Sequence, residues 1–206
     1  MSKLWQETSV SRETISRLEE YMALLKKWQR AVNLVSNKTL NEAWERHFVD
    51  LAQLVPLIPD DVKVIADIGS GAGFPGLVLA VIRPDIQVHL IESDMKKCQF
   101  MRTVARELAL ENVAVVNERI EKAYDEVSPD MISARALSAL DELLDYIEPW
   151  RKQNPALCAL FLKGGRSEEE IDLARQKYTF DVDKFDSDTS EEGCILRLKS
   201  INPKAV

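Results

Sequence analysis

The residues best able to do chemistry lie together in Asp67-Ile68-Gly69-Ser70-Gly71-Ala72-Gly73-Phe74-Pro75-Gly76. An apolar run from Val62 to Ile68 precedes them and reads as a strand. Gly76 to Arg83 follows and reads as a helix, with Pro75 suited to its first turn. A strand that enters glycines and leaves as a helix is a ligand-binding turn. Glycine lets a ligand approach the backbone closely and accepts positive φ. The turn sits at the carboxyl end of the first strand, where open α/β sheets take ligands. Two ligand chemistries compete for it. Gly71-Ala72-Gly73-Phe74-Pro75-Gly76 matches the dinucleotide fingerprint G-x-G-x-x-G, which points to NAD. In that fingerprint the first glycine closely follows the strand, whereas here Asp67 and Gly69-Ser70 intervene. An acidic residue at the strand end suits a cationic ligand better than a pyrophosphate. S-adenosylmethionine carries an ammonium and a sulfonium and is the favoured reading. The second strand ends at Ile91-Glu92, where a carboxylate can take the ribose hydroxyls that both cofactors offer.

Absences narrow the methyltransferase reading. Amino methylation of bases typically uses an Asp/Asn-Pro-Pro-aromatic loop after the fourth strand, and here that place holds Ile132-Ser133-Ala134-Arg135. Carbon-5 methylation of pyrimidines needs a cysteine nucleophile. Cys158 lies inside an apolar strand, and Cys98 and Cys194 have no base beside them. The three cysteines and the histidines His47 and His89 show neither a disulfide nor a zinc spacing, so no metal is expected.

Other polar groups have two readings each. Arg46, His47 and Asp50 share one side of a helix. They are an RNA contact or pocket wall, or else a helix ion pair beside a core histidine. Lys163 and Arg166 end the fifth strand on the ligand side of the sheet, where contact with RNA phosphates is favoured over a solvated loop.

The elements around these residues follow from periodicity. Ile15, Leu18, Met22, Leu25 and Trp28 recur at helical spacing. A polar break at Asn33–Thr39 precedes a second helix from about Leu40 to Val55, with Trp44, Phe48, Leu51 and Val55 on one face. Pro56 and Pro59 end it. Strands are expected at 62–68, 86–91, 112–116, 130–134, 156–162, 178–185 and 194–198. Helices are expected at 76–83, 96–110, 137–149 and from a capping box at Ser167 to Glu170. Strands alternating with helices give a mostly parallel sheet covered on both faces. The last two strands lack a helix between them and should pair antiparallel at one end. The reading is a helical extension over 1–60 and a catalytic domain over 61–206.

A length of 206 residues fits one domain with an appendage and leaves little chain for the substrate domain of a dehydrogenase. No apolar run is long enough for a membrane span, and Met1 to Glu7 lacks the apolar centre of a signal peptide. A cytosolic, metal-free monomer is the expectation. Net charge is −7. Residues 1–60 are neutral overall and 61–160 carry −5. Nucleic-acid binding would therefore need a local patch rather than a basic arm.

The sequence as a whole resembles the RsmG (GidB) family of bacterial small-subunit ribosomal RNA methyltransferases. The resemblance runs from about Glu13 to Leu198. It is carried by Asn33-Leu34-Val35-Ser36, Glu45-Arg46-His47-Phe48-Val49-Asp50, Asp67 to Gly76, Arg119-Ile120-Glu121, Ile132-Ser133-Ala134-Arg135-Ala136 and Leu162-Lys163-Gly164. It implies a Rossmann-like class I methyltransferase fold. It also implies methyl transfer from S-adenosylmethionine to N7 of a guanine in a 16S rRNA loop near the decoding site, within the small ribosomal subunit. The implied cofactor contacts are Gly69, Phe74, Ile120, Glu121 and Arg135, and Arg135 is expected to face the RNA as well; Gly71, Glu92 and Asp67 join the cofactor set from the loop argument. One departure is Leu51, where the family motif often has serine. Guanine N7 is a lone-pair acceptor with no proton to remove, so no general base is required. The rivals are a small-molecule methyltransferase and a non-catalytic SAM or NAD sensor of the same fold.

Overall fold

The computed structural model describes residues 10–36 and 42–204. Parts of two sequence expectations, Asn37–Thr39 of the polar break and Leu40 and Asn41 of the second helix, lie outside the described residues. The described chain forms a seven-stranded sheet in the order β3-β2-β1-β4-β5-β7-β6. The strands are β1 (Val64–Ile68), β2 (Gln87–Ile91), β3 (Val113–Val116), β4 (Met131–Arg135), β5 (Cys158–Lys163), β6 (Tyr178–Asp186) and β7 (Cys194–Pro203). Strands β3, β2, β1, β4 and β5 are parallel, as the alternating pattern requires. Strand β7 inserts between β5 and β6 and runs antiparallel to both. Of the last two strands, then, only β7 runs against the sheet, and β6 is the edge.

Helices cover both faces: α1 (Arg12–Trp28), α2 (Gly76–Ile82), α3 (Met95–Glu107), α4 (Leu140–Gln153) and α5 (Ser167–Lys177). Alternation along β1 explains the two cores. Ile65 faces a cluster containing Leu18, Tyr21, Leu25, Phe48, Leu77 and Phe100. Ala66 and Ile68 face a second, with Leu140, Leu144, Trp150, Phe161 and Ile171. The N-terminal helical residues are thus part of the core on one side of the sheet. The chain reverses its winding between β1 and β4, and ligands of open α/β sheets bind at such a switch point.

Three local expectations need correction. The second helix is a π-helical segment, Trp44–Val49, that runs into a short α turn at Asp50–Ala52. The Asp50 N–H reaches back five residues to the Glu45 carbonyl. Pro56 sits in a separate 3₁₀ turn, Val55–Leu57. Pro149 does not end α4, which continues to Gln153. Ser167 is not a cap. It is buried in the first turn of α5, and Arg166 holds the cap position without a side-chain bond. The carboxylate expected to close that capping box, Glu170, instead accepts the Leu140 N–H at 2.9 Å and pairs with Lys163.

Candidate active site

The glycine loop leaves β1 with Gly69, Gly71 and Gly73 all at positive φ, +65°, +57° and +89°. Their roles differ. A Cβ at Gly69 would meet Leu137 at 2.7 Å, and one at Gly73 would collide with Leu77 and with the Tyr21 hydroxyl. At Gly71 the nearest atom outside its chain neighbours would be the Gly69 carbonyl oxygen, at 3.9 Å. Gly71 therefore faces open space, and that space is a cleft of 580 Å³. Its size lies within the ~300–1,000 Å³ usual for small-molecule sites.

Two flanking elements hold the loop. The Gly71 N–H donates to Glu92 Oε2 at 3.0 Å, and Glu92 Oε1 accepts the Asp94 N–H at 2.9 Å. Glu92 lines the cleft at the end of β2 with lone pairs left for ribose hydroxyls. From the other side the Tyr21 hydroxyl donates to the Ala72 carbonyl. Tyr21 is fully buried, with its ring 5.1 Å from Phe48 and stacked 5.4 Å from Phe74. The sequence reading missed Tyr21, although its place three residues after Leu18 and four before Leu25 was the available signal.

Asp67 lies beneath the loop and does not line the cleft. It is fully buried and pairs in register with Ser133 across β1 and β4, so the two side chains share a face. The Ser133 hydroxyl donates to Asp67 Oδ1 at 2.9 Å, and the Gly76 N–H to Oδ2 at 3.2 Å. Burial pushes its carboxyl up to about 7 against the opposing hydrogen bonds from Ser133, Ser70 and Gly76. A polar Ser133 inside an apolar strand was the sequence signal for this pair.

Gly69, Gly71, Phe74, Glu92, Ile120, Glu121, Arg135 and His47 all line the first cleft, as do Leu34, Val35 and Ser36. The His47 ring stacks on Phe74, with centroids 5.0 Å apart. Arg135 closes the end of β4. Its Nη1 is 2.9 Å from His47 Nδ1, and its Nη2 donates to the Arg46 carbonyl at 2.7 Å. A guanidinium can only donate, so Nδ1 is the acceptor and the imidazole is neutral with its proton on Nε2. Burial first, and then the Arg135 and Arg46 charges, lower His47 to about 4.

The remaining RNA candidates separate. The Lys163 ammonium is buried, donating to the Ser138 carbonyl at 2.7 Å and pairing with Glu170. Its charge is committed inside the protein. Arg46 and Arg166 are exposed, and Arg46 pairs with Glu42 at 2.8 Å. Among the described residues no group of histidines, cysteines and carboxylates could hold a metal, and no helix is long and apolar enough to cross a membrane.

Asp67 and His47 make opposing contributions to stability. The folded value of Asp67 lies above its unfolded one, so its contribution is complete below about 3.8 and is lost as pH rises through about 7. His47 is shifted downward, so its contribution is complete above about 6.5 and is lost as pH falls through about 4. Between these limits the two slopes offset. We expect urea-unfolding stability to rise with pH from about 4 to 6.5 in Asp67→Asn and to fall in His47→Gln, each by on the order of a few kcal/mol. Slopes of the reverse sign would show that these groups are not the ones titrating.

A turn with one glycine open to a cleft at the sheet's switch point, faced by an acid just after β2, in a sheet closed by an antiparallel β7, defines a Rossmann-like fold. Solved structures share it: a SAM-dependent methyltransferase from Aquifex aeolicus superposes with a TM-score of 0.58 at 15% identity, over 77% of this chain and 92% of that one. The cofactor-bound Rv0187 from MTB gives 0.61 at 14% identity, over 91% of each chain. Residues 14–193 match the GidB family, rRNA small subunit methyltransferase G, and the chain belongs to that family. Its relatives include the ribosomal RNA small subunit methyltransferase G of Parvibaculum lavamentivorans, 45% identical over 95% of this chain and 87% of the relative. The protein of the same description from Rhodospirillum centenum is 46% identical over 96% and 89%.

Proposed function

We propose that this protein transfers a methyl group from S-adenosylmethionine to N7 of a guanine in a 16S rRNA loop near the decoding site, with the small ribosomal subunit as its substrate. S-adenosylmethionine supplies the electrophilic methyl group. The cleft residues suit such a ligand, since Gly71 admits it against the backbone and Glu92 can take its ribose hydroxyls. Glu121 and Ile120 extend the same wall. The observation that favours N7 is the state of His47, the one imidazole lining the cleft among the described residues. It accepts from Arg135 and stays neutral far below its usual range. A group held this way orients neighbours and does not collect a proton. N7 has none to give up, and alignment alone can supply ~7–11 kcal/mol in well-oriented systems. In an A-form duplex N7 faces a deep, narrow groove, which favours a loop guanine.

Exposed Arg46 and Arg166 are the cations this reading assigns to RNA phosphates. The acidic total charge makes non-specific attraction weak, so the shape of the particle must select the target. Small subunits from cells lacking this protein should take up one methyl each at a single guanine, mapped by strand scission at N7-methylguanosine. Unstructured RNA should be methylated far more slowly at moderate salt. Equal rates on both, or methyl groups at another atom, would overturn the assignment.

A further inference from the structure

A second cleft, of 680 Å³, lies beside the first and shares Arg135 and Ala136 with it. Its far wall is the loop between β6 and β7, and its position at the β5 and β7 ends leaves it open on the ligand side of the sheet. That loop is polar and carries no apolar anchor of its own, so something else must hold it.

Asp50 does so. It sits where the π-helical segment becomes an α turn and is 8% exposed. Its Oδ1 accepts from Ser187 Oγ at 2.9 Å, from the Thr189 hydroxyl, and from Gln53 Nε2 at 2.7 Å. Gln53 adds a second tie, because its Oε1 accepts the Asp188 N–H at 3.1 Å. The other carboxylate oxygen, Oδ2, faces Arg135 Nη2 at 3.7 Å. One buried carboxylate thus joins an N-terminal segment, the end of β4 and a loop some 137 residues away in sequence. Burying a charge this far is costly unless it is fully hydrogen-bonded, and here the partners are supplied by the cleft wall itself.

We propose that Asp50 is a positioning residue that fixes the 187–190 loop as the outer wall of the cleft receiving the target nucleoside. The inference rests on the function proposed above. A wall that touches substrate both before and during transfer adds uniform binding, so its loss raises KM and spares kcat. Arg135 keeps its bonds to His47 and Arg46 without Asp50, so cofactor affinity should not follow.

The test is steady-state methylation of small subunits by the full chain, with S-adenosylmethionine affinity measured by calorimetry. Asp50→Ala should raise KM for subunits about tenfold, the scale of one lost charged hydrogen bond. It should leave cofactor affinity and kcat within about twofold, below the 1.4 kcal/mol that a tenfold change represents. Asp50→Asn keeps an acceptor oxygen for the hydroxyls and should recover most of the loss. Ser187→Ala with Thr189→Val, at half-buried positions outside the core, should reproduce the KM shift, and combining it with Asp50→Ala should add little. Unmoved KM in both variants, parallel weakening of the cofactor, or fully additive effects would overturn the proposal. An active wild type with unmoved variants defeats the clamp alone. A wild type that binds S-adenosylmethionine but transfers nothing to subunits defeats the function reading and the clamp with it.

Discussion

Gly71→Val is expected to abolish S-adenosylmethionine binding while the protein remains folded. Two features of one residue combine here. At φ +57° an L side chain costs ~1–2 kcal/mol, which the fold can bear. The added Cβ has no protein atom nearer than 3.9 Å outside its chain neighbours, so the Cβ itself displaces nothing inside the structure. The branched methyls instead occupy the cleft where a ligand must meet the backbone. Affinity should fall by at least about a hundredfold, or roughly 2.7 kcal/mol. Circular dichroism should be unchanged and the melting point only modestly lower. Gly73→Val is the contrasting variant. Its Cβ would collide with Leu77 and Tyr21, so stability itself should suffer. The wild type should bind S-adenosylmethionine at low-micromolar affinity or weaker and NAD not at all. Unchanged cofactor binding in Gly71→Val, or tight NAD binding by the wild type, would sink this account of the loop.

The second large effect is a rate that does not change. In single turnover with both ligands saturating, methyl transfer should be nearly flat between about pH 6 and 9, a range that spans the ~6.5 reference value of histidine. A required general base with a value near neutrality would make the rate climb tenfold per unit below it. His47, lowered to about 4, is neutral throughout this range and has no titration to contribute. Asp67, raised to about 7, does titrate within it, but beneath the loop and away from the cleft. Its ionisation favours a cationic ligand above, so S-adenosylmethionine affinity should rise with pH through about 7. Saturation removes that effect from the rate. His47→Gln should weaken binding or stability and keep the flat profile. A tenfold rise through the histidine range, absent in His47→Gln, would identify a base and move the acceptor to a proton-bearing atom.

Much of this was legible before the tertiary structure. The parallel sheet follows from apolar runs alternating with 3.6-residue patterns, which encode periodicity within single elements. The ligand turn follows from glycines at a strand end, because backbone freedom is a property of the residue itself. Glu92 is read by the same logic as the first polar residue after a buried strand, and the structure has it lining the cleft. Its hydrogen bond to Gly71, by contrast, required the pairing of β1 with β2. Local signals also misled where a stronger tertiary contact competed. Ser167 and Glu170 have capping-box spacing, yet Glu170 is drawn to Lys163 and to the start of α4. Lys163 looked like a phosphate contact for the same reason, since spacing says nothing about a partner brought in by another helix.

What the sequence by itself determined is therefore the class of sheet, the place of the glycine turn and several of the residues that line the cleft beside it. Only the tertiary structure decided which way those residues face. It turned Asp67 inward onto Ser133, sent Tyr21 across to the loop, made His47 an acceptor for Arg135 and tied Asp50 to the loop after β6. Each depends on strand register, or on contacts between residues 51 to 137 positions apart. No spacing within one segment carries such information, because side-chain charge, orientation and burial are settled by the partner that folding brings alongside.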